Sequence, residues 1–153
     1  DTLDVTSGRD TATGGNGDDV FLVNANVANL PTLVQGDANN INTNGGGDTI
    51  VLQGLTAGSY SLTALANVTN SMEILNIRDG VNTALGVASL DVRNFVDGGN
   101  GSSIWIKADA GDSFAVGLAV GETLQTSTVS TGTEYVIFNS TGTQVAAIHW
   151  QTS

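Results

Sequence analysis

Glycine and aspartate recur at nine-residue intervals near the start of this 153-residue chain. Residues 5–13 read VTSGRDTAT and residues 14–22 read GGNGDDVFL, so Gly8 and Asp10 return as Gly17 and Asp19. Glycine allows a sharp turn because it takes positive φ without a steric penalty. Aspartate supplies carboxylate oxygens, which hard divalent cations prefer as ligands. The pattern therefore predicts loops that hold a cation through oxygen atoms.

A second pair of nonapeptides follows at residues 34–42, VQGDANNIN, and residues 43–51, TNGGGDTIV. In both pairs a turn-forming stretch precedes a short strand whose central apolar side chain points inward, at Ala12, Phe21, Ile41 and Ile50. Stacked turns would bring carbonyl and carboxylate oxygens together, and calcium takes about six to eight of them. The cofactor predicted is therefore Ca2+. The residues predicted to form its site are Asp10, Gly15, Gly17, Asp18, Asp19, Asn39, Gly46 and Asp48.

Apolar runs after the nonapeptides predict the strands that must support these loops. Residues 50–55 and 72–77 are rich in β-branched and other apolar residues. Residues 102–108, SSIWIKA, alternate two isoleucines with Trp105 and Lys107, as a half-buried strand does. Residues 135–150 form two strand-like runs around NSTG, which predicts a hairpin.

Other segments predict departures from regular strands. Residues 23–33 contain the only proline and should interrupt the repeats. Residues 61–70 fit either one helical turn or a strand and a loop, whereas residues 87–95 have near-helical apolar spacing and predict a short helix. The acidic turns at residues 96–101 and 109–112 fit ordinary turns better than a second calcium site.

Composition excludes several classes of function. Four basic residues against fifteen acidic ones give a net charge of −11, so the chain has no basic face for nucleic acid or for an anionic membrane. No apolar run is long enough to insert into a membrane. The chain has no cysteine and a single histidine, His149, and it contains no hydrolase or metalloprotease motif. We therefore expect a protein that is not an enzyme.

The chain resembles the C-terminal region of large repeats-in-toxin (RTX) adhesins of Gram-negative bacteria, which leave the cell by type I secretion. GGNGDDVFLV fits the family's nonapeptide, and the resemblance extends over about residues 5–150. The segments that resemble the family's later strands and turns are 72–77, 82–92, 109–116 and 135–148. TALGV at residues 83–87 and the sequence IHW at residues 148–150 depart from the family pattern.

The length of the chain fits one domain, residues 1–153, and the nonapeptides with the strand-like runs after them predict an all-β fold. A short calcium-binding parallel β-roll at residues 5–51 would merge into a larger β-sheet, solenoid-like or sandwich core at residues 52–153. Because the chain starts with Asp1 rather than Met, we expect a fragment or a processed piece.

Two functions remain open. In the first, the chain is a structural and export module of a secreted cell-surface adhesin, and it folds on extracellular calcium after passing the type I secretion machinery. In the second, the calcium-supported scaffold binds a glycan, a host surface or a biofilm surface. Trp105 and Trp150 are the candidate sugar-stacking residues for that second function, although core packing is the commoner role of tryptophan.

Overall fold

The computed structural model describes residues 1–37 and 46–153, and strands dominate this part of the chain. Its strands are, in chain order, β1 (Thr2–Val5), β2 (Thr11–Thr13), β3 (Val20–Asn24), β4 (Leu33–Gln35), β5 (Thr49–Gln53), β6 (Gly58–Ser61), β7 (Thr69–Asn70), β8 (Ile74–Asn76), β9 (Thr83–Ala88), β10 (Ser102–Ala108), β11 (Ser113–Gly117), β12 (Thr123–Val129), β13 (Gly132–Phe138) and β14 (Gln144–Thr152). Its α-helices are α1 (Thr63–Ala66) and α2 (Ser89–Val96). The prediction of an all-β fold is confirmed.

The largest sheet has eight strands in the order β1-β3-β5-β8-β10-β14-β13-β12. Its first six strands are all parallel, whereas β13 and β12 add an antiparallel hairpin at one edge. Two smaller parallel sheets, β2-β4-β7 and β6-β9-β11, take the strands that lie between successive strands of the large sheet. The chain therefore returns repeatedly to one long sheet and adds a strand beside the previous one.

The first return takes two nonapeptides. Thr2 of β1 pairs with Val20 of β3, and β2 lies between them in the chain. The apolar positions Ala12, Phe21 and Ile50 are buried as the nonapeptide pattern predicts, whereas Ile41 lies outside the described residues. Val34 pairs with Ala12 and is also fully buried. The inward residue that follows Ala12 in the small sheet is therefore Val34, which is the first residue of the nonapeptide at residues 34–42 and not its predicted apolar position.

Alternating burial explains the later strands. Ile104 and Ile106 of β10 are fully buried, and Trp105 and Lys107 between them are half-buried, as the alternation in SSIWIKA predicts. The predicted hairpin is confirmed as β13 and β14, which pair in antiparallel register. TALGV, which departs from the family pattern, still forms a regular strand in β9, because Thr83, Leu85 and Val87 all face the core.

The helices lie close to the predicted positions. The helix predicted at residues 87–95 is α2, although Val87 and Ala88 belong to β9 instead. Asp91 fixes the start of α2, since its carboxylate accepts a hydrogen bond from the Ala88 N–H at 2.8 Å. Residues 61–70 contain both a helical turn and a short strand, α1 and β7. The predicted interruption of the repeats contains a 3-10 turn at Val27–Asn29.

One core lies between the large sheet and the two smaller sheets. Its fully buried side chains include Phe21, Ile50, Phe95, Ile104 and Ile148, which come from the N-terminal, central and C-terminal parts of the described chain. No helix in residues 1–37 and 46–153 has the length and hydrophobicity needed to cross a membrane.

Candidate functional site: a row of buried acids at the start of the large sheet

Three acidic residues directly precede neighbouring strands of the large sheet. Asp19 precedes β3, Asp48 precedes β5 and Glu73 precedes β8. The register of these parallel strands places the three acids side by side. All three are buried, with 2%, 0% and 3% of their surfaces exposed. We call Asp19, Asp48 and Glu73 the acid ladder.

Backbone N–H groups connect the acid ladder. The Asp19 N–H donates to Oδ1 of Asp48 at 2.8 Å, and the Asp48 N–H donates to Oε2 of Glu73 at 2.8 Å. Each carboxylate thus accepts a hydrogen bond from the backbone of the acid one strand earlier. The ladder ends at β10, where the register places the apolar Ile104 beside Glu73. A carboxylate at this position satisfies an N–H that would otherwise be buried without a partner.

Asp48 also ties two loops together. Its Oδ2 accepts a hydrogen bond from the Asp37 N–H at 2.6 Å, and Oδ2 of Asp37 accepts one from the Gly17 N–H at 3.1 Å. The connection from β2 to β3 is therefore joined to the connection from β4 to β5. Burial raises the pKa of the Asp48 carboxyl, although the two N–H donors partly oppose that effect.

Two glycines without side chains leave room for these carboxylates. A Cβ atom on Gly14 would clash with the Asp19 carboxylate, and one on Gly36 would clash with the Asp48 carboxylate and with the Ser71 carbonyl oxygen. Gly14 and Gly36 occupy equivalent positions, directly after the paired strands β2 and β4. The glycines of this pattern thus serve packing against buried acids as well as turn formation.

The pKa of the Glu73 carboxyl is raised in the folded protein. Loss of hydration on burial raises the pKa of its carboxyl from the usual 4.5 to about 7, and the negative charges of Asp48 and Asp37 act in the same direction. The hydrogen bond from the Asp48 N–H partly opposes this rise. The folded protein therefore holds a proton on Glu73 at pH values where the unfolded chain has released it.

We expect Glu73 to make the protein less stable as the pH rises from about 4.5 to about 7. An acid whose pKa is raised by folding stabilises the folded state below its unfolded pKa, and that contribution is lost as the pH passes the folded value. Urea unfolding across this pH range, at one fixed calcium concentration, measures the effect. Glu73→Gln keeps an acceptor for the Asp48 N–H but cannot titrate, so the difference between the variant and the wild type should change with pH. A constant difference would contradict the expectation.

Asp19 has a fully buried carboxylate oxygen without a hydrogen-bond partner among the described residues. Its Oδ1 accepts a hydrogen bond from the backbone nitrogen of Asp1 at 2.6 Å. Its Oδ2 is buried and has no hydrogen-bond partner among the described residues. A buried carboxylate oxygen without a partner is costly, and a bound cation would satisfy it. Oδ2 of Asp19 is therefore the atom in the described structure that best fits a calcium ligand.

The other predicted ligand residues lie around Asp19 to different degrees. Asp18 is in the same loop but is exposed, and Gly15 and Gly17 take φ values of +93° and +103°. Gly46 lies just before Asp48 in the neighbouring connection. Asp10 is exposed and lies at the other end of β2, so it is not brought together with Asp19. Asn39 lies outside the described residues.

Side chains alone do not form a complete metal site in the described structure. Within residues 1–37 and 46–153, no three histidine, aspartate or glutamate side chains converge in a way that could hold an ion. Both oxygens of Asp48 already accept backbone hydrogen bonds. A calcium ion at Asp19 would therefore need backbone carbonyls of the glycine-rich loop as well, which is a ligand type that calcium accepts.

Sequence reasoning missed Asp37 and Glu73, the residues that connect Asp48 to its neighbours. Glu73 has a local signal, because it directly precedes an apolar strand as Asp19 and Asp48 do. Asp37 lies inside the second nonapeptide pair but outside the aspartate position of the pattern. Only the pairing of strands from distant parts of the chain shows that these acids are neighbours.

The acidic turn at residues 109–112 has its carboxylates occupied by backbone donors. Oδ2 of Asp109 accepts hydrogen bonds from the N–H groups of Asp79 and Gly80, at 2.9 and 2.7 Å. Asp112 accepts one from Thr83 through Oδ1 and one from Asp109 through Oδ2, both at 2.8 Å. These contacts fit the interpretation of an ordinary turn. Residues 96–101 include the C-terminal end of α2, where Asp97 takes a left-handed conformation.

The two tryptophans occupy different environments. Trp150 is only 8% exposed and stacks on Phe114, with ring centroids 5.1 Å apart. Trp105 is half-buried and stacks on His149, with ring centroids 4.0 Å apart. Trp105 pairs with His149, and Trp150 pairs with the neighbouring Ile106, so the two indoles point to opposite faces of the sheet. They cannot form one continuous stacking surface.

The chain matches none of the protein-family models, curated proteins or solved structures with which it was compared. Its function must therefore be inferred from its own residues and geometry.

Proposed function

We propose that this chain is a calcium-dependent structural and export module of a secreted RTX-type adhesin, in which a short β-roll at residues 5–51 folds when it meets extracellular calcium. The observation that carries the proposal is Oδ2 of Asp19, a buried carboxylate oxygen without a partner among the described residues. It lies in GGNGDD, the loop that fits the nonapeptide pattern at every defined position.

The strand geometry supports a β-roll at the N-terminal end. Parallel pairing of β1 with β3 returns the chain to the same sheet after two nonapeptides, and β2 pairs in parallel with β4 on a second sheet. Two parallel sheets joined by glycine-rich turns are the arrangement that the nonapeptide spacing predicts. The hydrogen bond from the Gly17 N–H to Asp37 then brings the turns of successive repeats into contact.

Charge supports a dependence on cations. The net charge of −11 disfavours a compact state through self-repulsion. Asp19 and Asp48 are nevertheless buried in adjacent positions, where repulsion is weakly screened. A metal that binds only the folded state converts its binding energy into folding energy. In the proposed route, low cytosolic calcium keeps the chain unfolded for the type I channel, and extracellular calcium drives folding after export.

Calcium removal tests this proposal. We expect the β-structure signal in circular dichroism and the melting temperature to fall in EDTA and to recover when calcium is added in excess. Calcium at a hundred times its Kd would stabilise the fold by about 2.7 kcal/mol. Magnesium at the same concentration is the control, because it demands a tighter octahedral site. An unchanged spectrum and melting temperature in EDTA would overturn the proposal.

The alternative function, binding of a glycan or another surface, retains one candidate residue. The burial of Trp150 removes its ring faces from solvent, whereas Trp105 and His149 form a half-buried stacked pair. Thr131 adds a hydroxyl 3.0 Å from Nε2 of His149. This pair is smaller than the two-tryptophan platform that the sequence suggests, so the calcium module is the function that the described geometry supports best.

A further inference from the structure

The tetrapeptide Gly-Gly-Asn-Gly occurs twice in the chain, at residues 14–17 and at residues 98–101. The first copy lies in the loop that leads to Asp19, and the second lies in the connection from α2 to β10. The asparagines of the two copies, Asn16 and Asn100, are both exposed. An asparagine followed by glycine is chemically labile, because glycine has no side chain to hinder attack of its backbone nitrogen on the asparagine side chain. Two identical local sequences therefore show what the surrounding structure does to this reactivity.

The glycine N–H is held in one copy and not in the other. The Gly17 N–H donates a hydrogen bond to Oδ2 of Asp37 at 3.1 Å. In the second copy, neither the Gly101 N–H nor the Asn100 carboxamide has a hydrogen-bond partner among the described residues. The Gly101 nitrogen can therefore approach the preceding asparagine without first losing a hydrogen bond, whereas the Gly17 nitrogen cannot.

Two Asp-Gly pairs, which react by the same route, are also held. The Gly80 N–H donates to Oδ2 of Asp109 at 2.7 Å, and the Gly98 N–H donates to the carbonyl oxygen of Arg93 at 3.0 Å. Each of these glycines follows an aspartate. Among the Asn-Gly and Asp-Gly pairs in the described part of the chain, the pair that ends in Gly101 is thus the one whose glycine nitrogen has no hydrogen-bond acceptor.

The turn around Asn100 leaves space for a rearrangement of its backbone. It is closed at its ends, where the Gly99 carbonyl oxygen accepts hydrogen bonds from the N–H and the hydroxyl of Ser102, at 3.3 and 2.7 Å. A Cβ atom on Gly99 or on Gly101 would have no neighbouring atom within 4 Å. The hydrogen bonds that close this turn therefore restrain neither of the two groups that would react.

We propose that Asn100 is a site of spontaneous deamidation in the folded protein. The Gly101 nitrogen loses its proton to base and bonds to Cγ of Asn100, and the side-chain nitrogen leaves as ammonia. Water then opens the resulting succinimide ring at either of its carbonyl carbons, which gives aspartate or isoaspartate. Water is the only other reactant, so neither an enzyme nor a cofactor takes part.

Deamidation changes the connection between α2 and β10. The product adds a negative charge to a chain of net charge −11, close to the C-terminal end of a helix, where negative charge is unfavourable. Isoaspartate also adds a main-chain carbon atom to this connection. Because β10 lies between β8 and β14, the modification alters the segment that leads into a central strand of the large sheet.

Peptide mass spectrometry of the whole chain, kept for days in saturating calcium at neutral pH, tests the proposal. Aspartate and isoaspartate should accumulate at Asn100 about tenfold faster than at Asn16, because the hydrogen bond from Gly17 to a carboxylate must break before that site reacts. The rate at Asn100 should rise with pH, since the deprotonated nitrogen is the species that attacks. In urea, which removes the fold but keeps both tetrapeptides, the two rates should become similar.

Asn100→Gln is the matched variant, because the longer side chain of glutamine does not readily form the five-membered ring. It should keep the circular dichroism spectrum and the melting temperature of the wild type and should lose the modification at residue 100, with the rate at Asn16 unchanged. An Asn100 side chain that stays intact in the folded protein would refute the proposal, and so would equal rates at Asn16 and Asn100 in calcium. A difference that persists in urea would also refute it, since local sequence rather than the fold would then set the rates. Saturating calcium keeps these outcomes separate from the test of calcium-dependent folding.

Discussion

Asp48→Ala should destabilise the protein by about 2–5 kcal/mol, because it removes the carboxylate acceptor of one buried and one part-buried backbone N–H group. Those donors are the N–H groups of Asp19 and Asp37, at 2.8 and 2.6 Å from the Asp48 carboxylate. Whole domains are stable by only about 5–15 kcal/mol, so the loss is a large fraction of the total. Urea unfolding in saturating calcium measures it, and the melting temperature should fall by roughly 5–20 °C.

Two control variants separate the role of Asp48 from the removal of any carboxylate. Asp48→Asn keeps one acceptor oxygen and removes a buried charge, so it should cost less than Asp48→Ala. Asp79→Ala removes an exposed carboxylate that accepts one backbone hydrogen bond, from Val81 at 2.9 Å, and should cost less than about 1 kcal/mol. Equal effects of Asp48→Ala and Asp79→Ala would show that the acid ladder does not stabilise the sheet.

Local patterns predicted the strands well because side-chain alternation reports burial directly. The alternation in SSIWIKA predicts both the extent of β10 and the inward position of Ile104 and Ile106, and the structure agrees. Strand partners carry no such local signal. The alternation of buried and exposed side chains along a strand does not indicate that β10 lies between β8 and β14. That strand order depends on packing between distant parts of the chain.

The candidate site was predictable only in part for the same reason. Gly15, Gly17 and Asp19 follow from one complete nonapeptide, and the structure places them in one loop. Glu73 joins the acid ladder only because β8 pairs with β5, and the sequence does not specify that pairing. Asp10 and Asp19 share the nonapeptide period, but they lie in the turns at opposite ends of β2, so the structure does not bring them together.

Asp19 has a different expected role from Asp48, because Oδ2 of Asp19 is buried without a partner among the described residues, whereas both carboxylate oxygens of Asp48 accept backbone hydrogen bonds. If a calcium ion occupies this position, the Asp19 carboxylate contributes charge as well as an oxygen ligand. Removing it should then weaken calcium binding more than it weakens the fold without calcium. The quantity to compare is therefore the gain in melting temperature on adding calcium, since the melting temperature alone combines both effects.

Asp19→Ala should lower calcium affinity at least tenfold and should reduce the stabilisation by calcium by about 1.4 kcal/mol for each tenfold loss. For a domain of this length, the gain in melting temperature on adding calcium should then be smaller by roughly 3–6 °C.

Asp4→Ala is the matched control, because Asp4 is an exposed aspartate whose carboxylate accepts hydrogen bonds from Thr6 and lies outside the glycine-rich loops. It should leave both the affinity and the calcium-dependent gain close to those of the wild type. Isothermal titration calorimetry measures the affinities, and scanning calorimetry with and without calcium measures the gains. Equal calcium binding by the wild type and both variants would remove Asp19 from the site, and with it the structural support for calcium-driven folding of this chain.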